Sequence, residues 1–156
     1  MSYTYKKFIE ESREISIDSD NVFKICSDNL LRISYLKFSV ALKNNINLEG
    51  DIVFSEVYNL PEMYFHLIND SGQYIQFNDY INDCPPYDVN MIKNAEIGQR
   101  NHPLNGIVYN YMHLCQFNIF INELKDIKNI LIFWLSFALQ IFNIDVISLI
   151  KHKLHN

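Results

Sequence analysis

The chain has 156 residues, 49% of them hydrophobic and 20% charged, which is enough apolar material to close one core and too little length for a second. A single domain spanning residues 1–156 is therefore expected. A formal net charge of -5 and a pI near 5.4 exclude a nucleic-acid binder, because nothing supplies the lysines and arginines that phosphate neutralisation needs.

The first element expected is a helix capped by Ser2, with Tyr5, Phe8 and Ile9 on one face and Lys6, Lys7, Glu10 and Glu11 in water. Those same charges interrupt the apolar core that a secretory signal requires. From Leu30 to Val40 the alternation changes register between Tyr35 and Leu36, which predicts a strand with a bulge. Gly50 and Asp51 open a strand-like run over Ile52 to Tyr58, and Pro61 opens another over Met63 to Ile68. Asn69-Asp70-Ser71-Gly72 is a turn cluster leading into a short strand from Tyr74 to Phe77. The Pro85-Pro86 pair makes residues 78–101 a loop, with room for one short helix from Val89 to Ala95.

Gly106 precedes a strand from Ile107 to Met112 that delivers His113 and Cys115 at its end. A helix from Asp126 to Phe142, capped by Asp126 and carrying Trp134, and a shorter one from Asp145 to His155 complete the chain. Ile130 to Ile150 is strongly apolar, but Asn143 and Asp145 break it short of the ~20 apolar positions that span a bilayer, so a buried helix is expected. Strands segregated from flanking helices define an α+β domain: an antiparallel meander with an N-terminal helix and C-terminal helices.

The three cysteines, Cys26, Cys84 and Cys115, are odd in number, so at least one thiol stays free or pairs between chains, and a reducing cytoplasmic compartment is expected. Cys26 has no histidine or arginine near it. Cys84 sits beside Asp83, whose charge disfavours a thiolate, so both are expected to be structural. Cys115 has His113 two residues before it. A zinc site would need four ligands, and no second Cys or His pair supplies them. A papain-like thiol hydrolase would need His66, His102 or His113 to reach Cys115. His152 and His155 lie in a basic tail and receive no role.

The block His102-Pro103-Leu104-Asn105-Gly106, followed by Ile107 to Met112 and His113-Leu114-Cys115, resembles the active-site signature of the autophagy-related protein ten family. Val57-Tyr58-Asn59 with Pro61, Tyr64-Phe65 and Trp134-Leu135-Ser136 agree in order, so the resemblance covers most of the chain after Gly50. The family usually has proline at Leu114 and often threonine at Phe117. An extra leucine separates His102-Pro103 from Asn105, so the His-Pro-Asn tripeptide of ordinary ubiquitin-conjugating enzymes is absent and Asn105 is a weak candidate.

The resemblance implies a ubiquitin-conjugating-enzyme-like fold and a specific chemistry. Cys115 would accept autophagy-related protein twelve, a ubiquitin-like modifier, as a thioester from the activating enzyme, autophagy-related protein seven. It would then pass the modifier to a lysine of autophagy-related protein five, in the cytoplasm or where autophagosomes assemble. No cofactor, metal or nucleic acid enters that chemistry, and membrane association is not predicted. Tyr58 matches a family tyrosine near the thiol, where a phenol orients the amine or bonds the thioester, against the alternative of a core aromatic. Asn118 stands either as an oxyanion donor or as a turn-fixing loop residue. His113 completes the candidate set. The hairpin at residues 69–77 is an edge onto which a partner strand could add. A noncatalytic domain of the same fold remains the alternative, with the thiol hydrolase as a third.

Overall fold

The computed structural model describes residues 2–123 and 126–150. Helix α1 (Tyr5–Asp18) buries Phe8, Ile9, Ser12 and Ile15 at helical spacing. Its cap is Thr4 rather than Ser2: the Thr4 hydroxyl accepts from the Lys7 N–H at 3.2 Å, satisfying one orphan donor of the first turn. Asp20 and Asn21, both at positive φ, turn the chain into β1 (Phe23–Asp28), and Ser19 holds the corner by accepting from the Phe23 N–H at 3.0 Å.

Strand β2 (Ile33–Ala41) pairs antiparallel with β1 in unbroken register from Phe23↔Phe38 to Asp28↔Ile33, so the expected bulge is absent. The change in alternation has two other causes. Leu30 and Leu31 belong to the β1–β2 turn, where Leu30 is exposed. Tyr35 is apolar on the opposite face from Leu36, Phe38 and Val40, because both faces of this sheet carry an apolar cluster.

Strand β3 (Asn47–Ser55) begins earlier than expected and places Gly50 against Phe65 of β4 (Leu60–Ile68). A Cβ at Gly50 would run into the Tyr64 carbonyl oxygen and stand 2.9 Å from the Phe65 Cα, so glycine here permits close approach of two strands. Residues 56–59 form the intervening turn, ending at Asn59 with φ 52°, a conformation asparagine tolerates. Tyr58 therefore lies in a turn and not in a strand.

After the turn closed by Gly72 (φ 79°), β5 (Tyr74–Ile75) pairs with the end of β4. Phe77 then starts α2 (Phe77–Asp83) instead of ending a strand, because it and Tyr80, spaced by three, bury together. A short α3 (Asn90–Lys93) and β6 (Glu96–Asn101) occupy the segment expected to be mostly loop. Strand β7 (Val108–His113) pairs with both β4 and β6, giving the order β1-β2-β3-β4-β7-β6 with β5 beside β4. The meander thus runs through four strands, and the chain returns to insert β7 inside β6.

Helices α4 (Phe117–Glu123), α5 (Ile130–Gln140) and α6 (Val146–Leu149) follow. Asn129 caps α5 through the Ile132 N–H at 2.9 Å, while Asp126 lies exposed in the preceding turn. Asp145 caps α6 as expected; the extension of that helix to His155 falls outside the described residues. Among the described residues, no helix is long and apolar enough to cross a membrane.

Every helix that buries apolar residues packs them on one face of the sheet, with Phe8 and Ile15 of α1 and Leu131, Trp134, Leu135, Ala138 and Leu139 of α5 at its centre. Glu11 was expected in water but is buried between these two helices. It accepts from the Tyr3 hydroxyl at 2.6 Å and from the Ile130 and Leu131 N–H groups at 2.9 and 3.1 Å, capping α5 from α1. Burial raises its pKa, against the lowering effect of those three donors.

Candidate active site

Alternation along β7 sorts its side chains. Met112 points into the core, Tyr111 and His113 to the helix-free face, and Leu114 and Phe117 return to the core at 7% and 2% exposure. A fully buried Leu or Phe contributes about 1.5–3 kcal/mol, so the chain is anchored on both sides of Cys115 and Gln116. Cys115 is left exposed, whereas Cys26 and Cys84 are half-buried; all three thiols are free. Leu114 and Phe117, the two departures from the family pattern, thus hold the loop. A shallow apolar groove formed by Leu114, Phe117, Phe120, Phe137 and Met91 flanks the thiol.

Two of the four expected site residues, Tyr58 and His113, meet through their side chains, and Cys115 follows His113 two residues along the chain. The Tyr58 ring, presented by the β3–β4 turn and partly exposed, lies 4.4 Å from the His113 ring at 36°. The Cys115 Sγ lies 3.9 Å from the His113 carbonyl oxygen. Asn118 stands exposed in the first turn of α4, and its side chain has no hydrogen-bond partner among the described residues.

Sequence reasoning missed Glu96. Its Oε2 lies 3.9 Å from the Cys115 Sγ, and its Oε1 accepts from Arg100 at 3.3 Å. The signal was there only after β6 is recognised, since pairing Glu96 with His113 is what carries the carboxylate to the end of β7.

Behind the thiol, a polar network covers the helix-free face. Buried Glu62 accepts from Tyr111 at 2.9 Å and from Tyr64 at 3.1 Å, and the Arg100 guanidinium stacks 4.1 Å over the Tyr111 ring. Burial, reinforced by Glu62, holds both phenols protonated, well above the ordinary tyrosine range. His113 is 4% exposed, and its Nδ1 has no partner among the described residues. Desolvation lowers its pKa in spite of Glu62 and Glu96, so the ring is neutral at physiological pH.

The His102 block serves another purpose. His102 Nε2 meets Asp51 at 2.8 Å while its Nδ1 accepts from the Leu104 N–H at 3.1 Å, tying the β6–β7 turn to β3. Gly106 at φ 72° and Asn105, which accepts from the Ile107 N–H at 2.9 Å, close that turn at the far end of β7 from Cys115. His66 and His102 are engaged elsewhere, and among the described residues Cys115 Sγ is within hydrogen-bond reach of Glu96 and the His113 carbonyl but of no imidazole nitrogen. No cluster suited to a metal ion occurs among the described residues.

The molecule is thus an antiparallel sheet with helices on one face and an exposed thiol just beyond the end of its inner strand β7. The fold matches the solution structure of KmAtg10 at a TM-score of 0.59, 18% identity and coverage of 92% of this chain and 97% of that one. It matches the crystal structure of the autophagic E2 Atg10 at 0.55 and 13% identity, covering 91% and 98%. No curated protein matches the sequence. Residues 6–148 match the model of the autophagocytosis associated protein, active-site domain, and the chain belongs to that family.

Proposed function

We propose that the chain, acting as one domain over residues 1–156, carries autophagy-related protein twelve as a thioester on Cys115. It receives the modifier from autophagy-related protein seven and delivers it to a lysine of autophagy-related protein five in the cytoplasm, toward autophagosome formation. The observation that carries this reading is the exposed Cys115 held between two buried anchors beside the Tyr58–His113 pair.

The incoming modifier's C-terminal carbonyl exchanges its bond to the activating enzyme's thiol for one to Cys115 Sγ. An amine then adds to that carbonyl, and the thiol leaves as the isopeptide forms. A thioester is already activated, so the protein's contribution is placement and stabilisation of the oxyanion. The Asn118 amide is assigned as donor to that oxyanion. The Tyr58 phenol orients the attacking amine, and neutral His113 holds the Tyr58 ring in place.

The test is a charging assay with the activating enzyme, the modifier and ATP, resolved without reductant. Cys115 is expected to form a reductant-sensitive adduct that Cys115→Ala abolishes and Cys115→Ser converts to a stable ester. No adduct, with the activating enzyme shown to be active, would replace this reading with a noncatalytic domain of the same fold. Asn118→Ala should slow discharge by ~100–1,000-fold, as loss of a single oxyanion donor does, and Tyr58→Phe should slow it as well; equal discharge would remove those assignments.

A further inference from the structure

We propose that Glu96 is the general base for the attacking lysine, an inference that rests on the thioester reading of Cys115. The two oxygens of this carboxylate are differently engaged: Arg100 takes Oε1 at 3.3 Å, which leaves Oε2 facing the Cys115 Sγ at 3.9 Å. The acyl carbon of a thioester sits one bond from Sγ. An amine approaching that carbon therefore comes within reach of Oε2.

The surroundings favour a cation at this position. Glu96 is half exposed at the solvent edge of the sheet, open to an incoming side chain. Its cross-strand neighbour His113 is neutral because burial lowers its pKa, and so does not compete for the carboxylate. Glu62 lies buried behind it with both oxygens engaged by tyrosines, adding negative charge without adding a second accessible base. Arg100 stacks 4.1 Å over the Tyr111 ring and bonds Oε1 rather than Oε2. Lysine reaches the site as an ammonium and cannot attack until it loses a proton.

In the step proposed, the ammonium gives one proton to Oε2, from which it passes to water. The amine lone pair adds to the acyl carbon. As the tetrahedral adduct collapses the C–S bond breaks, its electron pair stays on Sγ, and the second nitrogen proton ends on the thiol. The products are the isopeptide, free Cys115 and one proton in solution.

The experiment charges wild type, Glu96→Gln and Glu96→Asp with the modifier, quenches the activating enzyme, and follows discharge into free lysine and into hydroxylamine across pH. Hydroxylamine is already neutral near pH 7 and needs no base. Once charged, Glu96→Gln should lose ~100-fold in discharge to lysine near neutrality and stay within about twofold of wild type with hydroxylamine. The lysine deficit should shrink as pH rises and the free amine forms unaided, and Glu96→Asp should recover part of the rate. Equal losses with both nucleophiles at every pH, or no loss with lysine, would overturn the proposal while leaving Cys115 as the carrier. Absence of any thioester on the wild-type chain would instead overturn the reading on which it rests.

Discussion

The two faces of the sheet are made from alternate residues of the same strands and differ in almost everything else. On the helix-covered face, Leu36, Phe38, Ile52, Met63, Phe65 and Met112 join residues of the helices in one apolar cluster, with Glu11 the buried carboxylate between α1 and α5. On the open face Glu62, Tyr64, Tyr111 and Arg100 form a network of hydrogen bonds and ring contacts that reaches the thiol through Glu96. Apolar packing is non-directional and tolerant of exchange, while a polar network places each group at a set distance. One face supplies stability, and the other supplies positions.

The sharpest way to break the first face is Trp134→Ala, which removes the largest fully buried side chain and should cost ~3–5 kcal/mol in denaturant unfolding. Trp134→Phe should cost far less, because the indole Nε1 has no partner among the described residues and its removal leaves no new orphan. A loss for Trp134→Phe as large as for Ala would mean that the nitrogen is bonded. Gly50→Ala tests where the faces meet: forcing β3 off β4 should cost about 1–3 kcal/mol by the same measurement. An unchanged midpoint would show that the strands separate freely.

The smallest effect belongs to the second face and depends on pH. Desolvation lowers the pKa of His113 and of His66 from the ordinary value of 6.5, opposed at His113 by Glu62 and Glu96 and at His66 chiefly by Glu49. The folded chain therefore binds fewer protons than the unfolded one just below that value. Stability is full above about 6.5 and declines as pH falls through it toward the lowered folded values. Comparing denaturation midpoints at neutral and mildly acidic pH, His113→Gln should reduce the decline; an unaltered slope would assign it to other groups.

Reading from sequence worked best where one face of an element dominates. The strands around Met63–Ile68 and Val108–Met112 and the helices at Phe8 and Trp134 follow their apolar patterns closely. It failed at β1, where Lys24, Ser27 and Asp28 dilute the alternation of an edge strand, and at β6, whose only half-buried residue is Ile97. Missing β6 concealed Glu96 from the site. Cys115, His113 and Tyr58 were singled out through the family's residues, and the His102 block served only as a marker. Its physical work, joining Asp51 across residues distant in sequence, requires the sheet to be assembled. Glu11 was misplaced because a carboxylate on a helix is ordinarily solvated, and the donors that justify burying it come from the other end of the chain.

That last contact has a consequence for how the molecule comes into being. The carboxylate on the first helix finds its partners 119 and 120 residues later, at the start of α5. A nascent chain leaving the ribosome cannot complete its N-terminal layer until residues 130 and 131 have been made, and loop closure over such a separation must precede the gain. The N-terminal helix waits with its carboxylate met only by Tyr3 until Ile130 and Leu131 emerge, so α1 and α5 acquire their structure as a single event.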